Sequence, residues 1–181
     1  MRVWRIASAA HAACDGEGAR RYGSRWTPRG IPAVFASATL SLAALERFVH
    51  TDPDLEPEEL VAIPIDIGEN IAIESIELEE LPADWRSFPA PPALAVIGER
   101  WFRGSRTAVL SVPSVVIPHE RNFLLNPGTW LNDHDLGPGF TVNSHNLSLE
   151  PPSVRRTQHV CPLTNEPAPI ADRPQGTLTR R

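Results

Sequence analysis

Nineteen prolines punctuate the chain, gathering at 82 to 92, at 113 to 118 and again after 127. Proline fixes φ and has no N–H, so it disrupts the interior of helices and central strands alike; this spacing predicts short strands, many turns and a loop-rich surface, and it excludes a helical bundle. Between the breakers the apolar pattern predicts strands over residues 3–6, 33–36, 60–67, 71–78, 108–112 (continued over 115–117) and 122–126. Pro64 inside the 60–67 run (LVAIPIDI) points to an edge position or a bulge. Two stretches read as helices. Residues 41–50 form one. The other opens at Pro91-Pro92, carries Leu94, Ile97 and Trp101 on one core-facing stripe, and ends near 102–104. Short mixed or antiparallel strands with a few helices define an α+β class.

Charge and composition narrow the partners. The 181 residues are 41% hydrophobic and 22% charged, in the range of a single compact domain with a real core. A net charge of -5 argues against nucleic acid as the main partner, because no dense lysine or arginine stripe can release counterions. The two cysteines, Cys14 and Cys161, lie far apart without histidines at metal spacing, so neither a zinc site nor a disulfide scaffold is supported, and no metal is expected. The acidic run at 51–59 (TDPDLEPEE) lacks calcium-loop spacing and reads as a solvated connection. His134, His145 and His159 read as surface histidines. No apolar run reaches the ~18 residues of a membrane span. The alanine-rich start is interrupted by Arg5 and His11 and has no leucine-rich core, so it does not read as a signal peptide; a cytoplasmic location is expected, and the Asn146-Leu147-Ser148 pattern then carries no glycosylation meaning. Beyond residue 127 periodicity fades into glycine, proline, asparagine and histidine, a divergent segment over 128–181 that is expected to be partly disordered.

Two features carry chemistry. In the 41–50 helix, Leu42, Leu45, Glu46 and Val49 fall on one face, so Glu46 points inward. A carboxylate there must find a partner, shift its pKa or open onto a wet cleft. A structural ion pair with a nearby arginine and a functional carboxylate are both open on this pattern alone. The second feature is the flexible loop made by Gly16, Gly18 and Gly23, which carries Arg20, Arg21, Tyr22 and Arg25. It reads either as merely solvated or as an anion site in which guanidinium forks grip phosphate oxygens. No P-loop or dinucleotide-binding glycine motif is present. The 3–6 strand would put Trp4 and Arg5 on opposite faces.

The blocks WRI at 4–6, GEGARRYGSRW at 16–26, PAVFAS at 32–37, ALE at 44–46, VPSVV at 112–116 and ERNFLLNP at 120–127 occur in an order that resembles the RES-domain family, named for its Arg, Glu and Ser. The resemblance implies an ADP-ribosyltransferase-like fold over residues 1–127 as an NAD-binding catalytic domain, and NAD consumed as substrate. By position it implies that Arg5 and Arg25 hold the pyrophosphate or ribose, that Glu46 is the catalytic carboxylate, and that Ser114 sits against the nicotinamide side. It further implies a toxin of a bacterial toxin-antitoxin pair, with an Xre-like helix-turn-helix antitoxin as partner and a carboxylate of that partner reaching into a locally basic cleft.

Three departures stand out. The second glycine expected in the Gly-Gly-Arg-Trp block is Ser24, the asparagine expected after tryptophan is Thr27, and the tyrosine expected after Ala-Val is Phe35. Phe35 can still stack on a ring but lacks a hydroxyl to orient substrate. Three activities fit: NAD cleavage with water or phosphate as acceptor; ADP-ribosyl transfer to a protein side chain at the same site; and a non-enzymatic binding module in which the Arg and Glu are structural.

Overall fold

The computed structural model describes residues 1–50, 59–129, 140–142 and 147–148, with only the backbone considered in the last two segments. The elements are β1 (Arg2–Ser8), α1 (Glu17–Tyr22), β2 (Val34–Ser37), α2 (Leu40–His50), β3 (Leu60–Ile67), β4 (Ile73–Ser75), α3 (Pro92–Gly104), β5 (Val109–Pro113), β6 (Arg121–Leu125), β7 (Phe140–Val142) and β8 (Leu147–Ser148). They belong to one unit, Met1–Glu150. The strands form one sheet in the order β4-β5-β6-β2-β1-β3-β7, with β8 also on β3. The β4–β5 pair is parallel and the others are antiparallel, so the protein is α+β with a mixed sheet.

Period-two alternation gives each face of the sheet its own core. Val3, Ala7, Val34, Ala36, Ile63 and Ile65 share one apolar cluster, while Leu110, Val112 and Leu124 join Trp26, Trp85, Leu94 and Trp101 in the other. The prolines at 91 and 92 open α3, where a missing N–H breaks no helical bond, and Leu94 and Trp101 bury its expected stripe. Thr39 caps α2 by accepting the Leu42 N–H at 3.0 Å.

Several expectations need correction. Residues 17–22 are a short helix rather than a flexible loop. The strand expected over 71–78 shrinks to Ile73–Ser75, and the strand ending at Pro113 does not resume: residues 115–117 bend away instead. On α2, Leu42 is buried as expected, but Val49 is 46% exposed, so the inward face narrows toward the helix end. Pro64 is not at an edge, because β3 has neighbours on both sides. The N–H and C=O of Ile67 both pair with Met1, which makes Trp4 and Pro64, three positions along, a non-hydrogen-bonded pair. The Pro64 nitrogen therefore faces away from β1, toward a side where β7 covers 65–67 and β8 covers 61–62, leaving position 64 between them.

The feature that positions the site is a seam. β1 pairs with β3 over all seven of its residues but with β2 only at Trp4↔Ser37. Beyond that pair the two strands part, and α2 lies against both.

Candidate functional site

A cleft of about 490 Å³ opens at the seam, bordered by Trp4, Arg5 and Ile6 of β1, by Phe35 to Ser37 of β2, by Glu46, Arg47 and His50 of α2, and by the Arg25–Trp26 turn. Trp4 and Arg5 were expected on opposite faces of a strand; both reach this cleft because β1 is nearly a free edge here.

Glu46 arrives from α2 with its side chain 17% exposed. Its Oε1 accepts two short bonds, from Ser114 Oγ at 2.6 Å and from Asn122 Nδ2 at 2.6 Å. Its Oε2 lies 3.5 Å from His50 Nε2. The donors that fix Oε1 are neutral, unlike the arginine of a structural ion pair, so the local negative charge is oriented without being neutralised there. Ser114 is fully buried and touches Glu46, and it does not border the cleft, whereas the resemblance had put it against the nicotinamide side. Its Oγ also accepts the N–H groups of Val116 and Ile117 at 3.1 and 2.9 Å, which explains the bend after Pro113: the backbone turns to wrap the hydroxyl.

Arg25 sits at the apex of a turn that Ser24 builds. The Ser24 Oγ accepts the Trp26 and Thr27 N–H groups at 3.1 and 2.9 Å and lies 2.9 Å from Thr27 Oγ1. The two departures at 24 and 27 thus meet each other in one hydroxyl-bonded turn. The Arg25 guanidinium donates to the Trp85 carbonyl at 2.7 Å and to the Ser87 carbonyl at 3.3 Å, tying down the segment that carries Phe88, itself 91% exposed at the cleft mouth. Burial pushes the Arg25 pKa down, and Glu46 partly opposes this.

Arg5 is the more deeply buried cation. Its Nη1 reaches the Phe35 carbonyl at 3.5 Å, while its buried Nε has no hydrogen-bond partner. Desolvation lowers its pKa; Cys14 and Asp15 oppose the shift and Arg47 adds to it. Arg5 and the half-buried Phe35 also border a second cleft of about 340 Å³ on the α1 side, so both residues stand between the two hollows.

Of the two readings of the arginine loop, the anion cradle is not formed by Arg20 and Arg21, which are taken up by Glu17. Glu17 takes Arg20 in a paired bond at 2.6 and 2.7 Å and Arg21 at 3.4 Å, which leaves Arg25 as the member of that group on the first cleft. Sequence reasoning missed Asn122, Ser37, Arg47 and His50. His50 follows Glu46 by one helical turn, which is a readable signal; Asn122 lay within a quoted block with nothing to mark its partner. His134, His145, His159, Cys161, Asn146 and the acidic run at 51–58 lie outside the described residues. Among the described residues no helix is long and apolar enough to cross a membrane, and no group of three metal-ligating side chains gathers.

An α+β sheet parted at one interior seam, with a hydrogen-bonded carboxylate and arginines around the opening, defines a protein with an open cleft between two neighbouring strands of its sheet. The architecture resembles a chain of the M. tuberculosis MbcT-MbcA toxin-antitoxin complex, with a TM-score of 0.64 over 82% of this chain and 83% of that one at 18% identity, a likeness of fold. The RES domain family matches residues 2–135, and this chain belongs to it. Relatives named Toxin Res occur in Photorhabdus laumondii, 40% identical over 64% of this chain and 74% of that protein, and in Yersinia enterocolitica, 36% identical over 70% and 84%. A Sphingobium protein named Prs ADP-ribosylating toxin is 36% identical over 68% of this chain and 81% of its own length.

Proposed function

We propose that this protein is a toxin that consumes NAD by breaking the bond between nicotinamide and ribose. The observation that carries the reading is the state of Glu46: one oxygen held by two neutral donors, the other turned to the cleft beside His50, with Arg5 and Arg25 on the same walls. As the C1′–N bond breaks, its electron pair goes to the nicotinamide nitrogen and positive charge develops on the ribose; Glu46 stabilises that charge while the arginines offset the diphosphate. The acceptor nucleophile, water, phosphate or a protein side chain, then bonds to C1′ and releases its proton to solvent. The half-buried Trp4 and Phe35 supply ring faces on which the nicotinamide can stack.

The acceptor defines two readings. Water or phosphate yields NAD depletion; a protein side chain yields mono-ADP-ribosylation, which the name of the Sphingobium relative favours. Incubation with NAD distinguishes them. Free nicotinamide without labelled protein identifies the first, label on a cell protein identifies the second, and no turnover leaves a binding module. Glu46→Gln keeps shape and removes charge, so turnover falls ~10²-fold or more with little change in melting temperature. A mutant that melts several degrees lower and stays active when folded would mark Glu46 as structural instead.

The M. tuberculosis structural neighbour, solved as a toxin-antitoxin complex, supports an antitoxin partner. We assign it to an Xre-like helix-turn-helix protein whose carboxylate enters the cleft between Arg5 and Arg25, blocking NAD by occupancy.

A further inference from the structure

We infer that Asn122, aimed by Ser37, is a positioning residue that locks Glu46 Oε1 so that Oε2 alone meets the substrate; this rests on the NAD-cleaving reading. The direction of each proton is fixed by saturation. Ser114 Oγ receives two backbone N–H groups, which occupy its lone pairs, so its own proton goes to Glu46 Oε1. Ser37 Oγ donates to Asn122 Oδ1 at 2.7 Å, which turns the Asn122 amide nitrogen toward the same Glu46 oxygen at 2.6 Å.

The lock is built across the sheet. Ser37 and Asn122 are register partners on β2 and β6, and Ser37 is also the one β2 residue paired with β1. The carboxylate from α2 is therefore held from β6 and from the turn after β5, both rigid supports beside the seam. With Oε1 doubly occupied, the carboxylate cannot rotate to present that oxygen, and Oε2 remains on the side of His50. Arg25, Arg47 and Arg5 border the same cleft, and none of them makes the two bonds that set the orientation.

The test uses the full chain with NAD. Asn122→Ala is expected to lower kcat ~10- to 10²-fold, the scale on which a misplacement of about 1 Å acts, while KM for NAD stays within about twofold. Ser37→Ala, which leaves the amide in place but frees it to flip, is expected to lower kcat by less and in the same direction; it also serves if Asn122→Ala fails to fold. Unchanged kcat in both variants, or a rise in KM alone, overturns the inference, the latter by making Asn122 a substrate contact.

A second readout is independent of turnover. In ¹⁵N-labelled protein, one Asn122 side-chain amide proton, assigned by its loss in Asn122→Ala or its shift in Ser37→Ala, is expected far downfield of its partner and to move back in Glu46→Gln. Indifference to Glu46→Gln overturns the lock. If wild type turns over no NAD yet shows this signature, the NAD reading fails and the lock stands.

Discussion

Arg5 is where this protein gives up stability. A buried donor without a partner costs about 1–3 kcal/mol, and desolvation lowers the Arg5 pKa, so holding this guanidinium charged inside the fold works against stability. Arg5→Met keeps the apolar stem and removes the orphan. The expected result is a melting temperature higher by a few degrees together with loss of NAD binding in a titration. A mutant that melts lower would show that the guanidinium is a structural bond-maker. Arg25 is the converse, since its guanidinium already grips the Trp85 and Ser87 carbonyls. Arg25→Lys keeps the charge but cannot reproduce the fork, so NAD affinity should fall and the 85–88 segment loosen, read as faster proteolysis there. Unchanged affinity would remove Arg25 from the site. The sequence carried Glu46 and both arginines because a helical stripe and an order of blocks are local patterns. It could not carry Asn122, whose partner is 76 residues away, on a different element.

At the scale of elements, α3 reaches the cleft without touching it. Gly98 of α3 is buried so closely against the Arg25–Trp26 turn that a Cβ would run into the Trp26 carbonyl oxygen. Gly98→Ala therefore has to push the turn or the helix away, although alanine is the better helix former by about 1 kcal/mol. Lower thermal stability and weaker NAD binding are expected together in calorimetry and a binding titration; a more stable protein would mean that the turn gives way freely. Helix α3 itself was readable, since Pro91, Pro92 and its apolar stripe agree. Helix α1 was not. It spans only six residues beginning one position after Gly16, whose φ of +73° is open to glycine and whose Cβ would collide with the Ala33 backbone. Glycine there signals a tight junction, yet in sequence it looks like slack.

At the scale of the molecule, a net charge of -5 coexists with a cleft that gathers Arg5, Arg25 and Arg47 around one carboxylate. These cations favour an anionic ligand in the cleft of a chain that is acidic overall. Expression of the chain alone is expected to arrest growth, Glu46→Gln to relieve the arrest, and a co-expressed antitoxin to restore growth and co-purify. A purified complex that turns over NAD as fast as the free protein would rule out blocking by occupancy. The α+β class followed from proline spacing and periodicity. The strand order did not, because it depends on pairings between distant segments, such as β2 with β6, that no local pattern encodes.

The single β1–β2 pair has a dynamic consequence. Odd-numbered residues of β1 spend their backbone groups on β3, as the Met1–Ile67 phase of the ladder requires, whereas even-numbered ones turn toward β2 and meet a paired partner only at Trp4. Two half-sheets are then hinged on one rung, with α2 as the brace across it. Deuterium uptake along β1 should rise and fall residue by residue, slow at Val3, Arg5 and Ala7 and fast at Ile6, and a ligand wedged into the gap should slow Ile6 first.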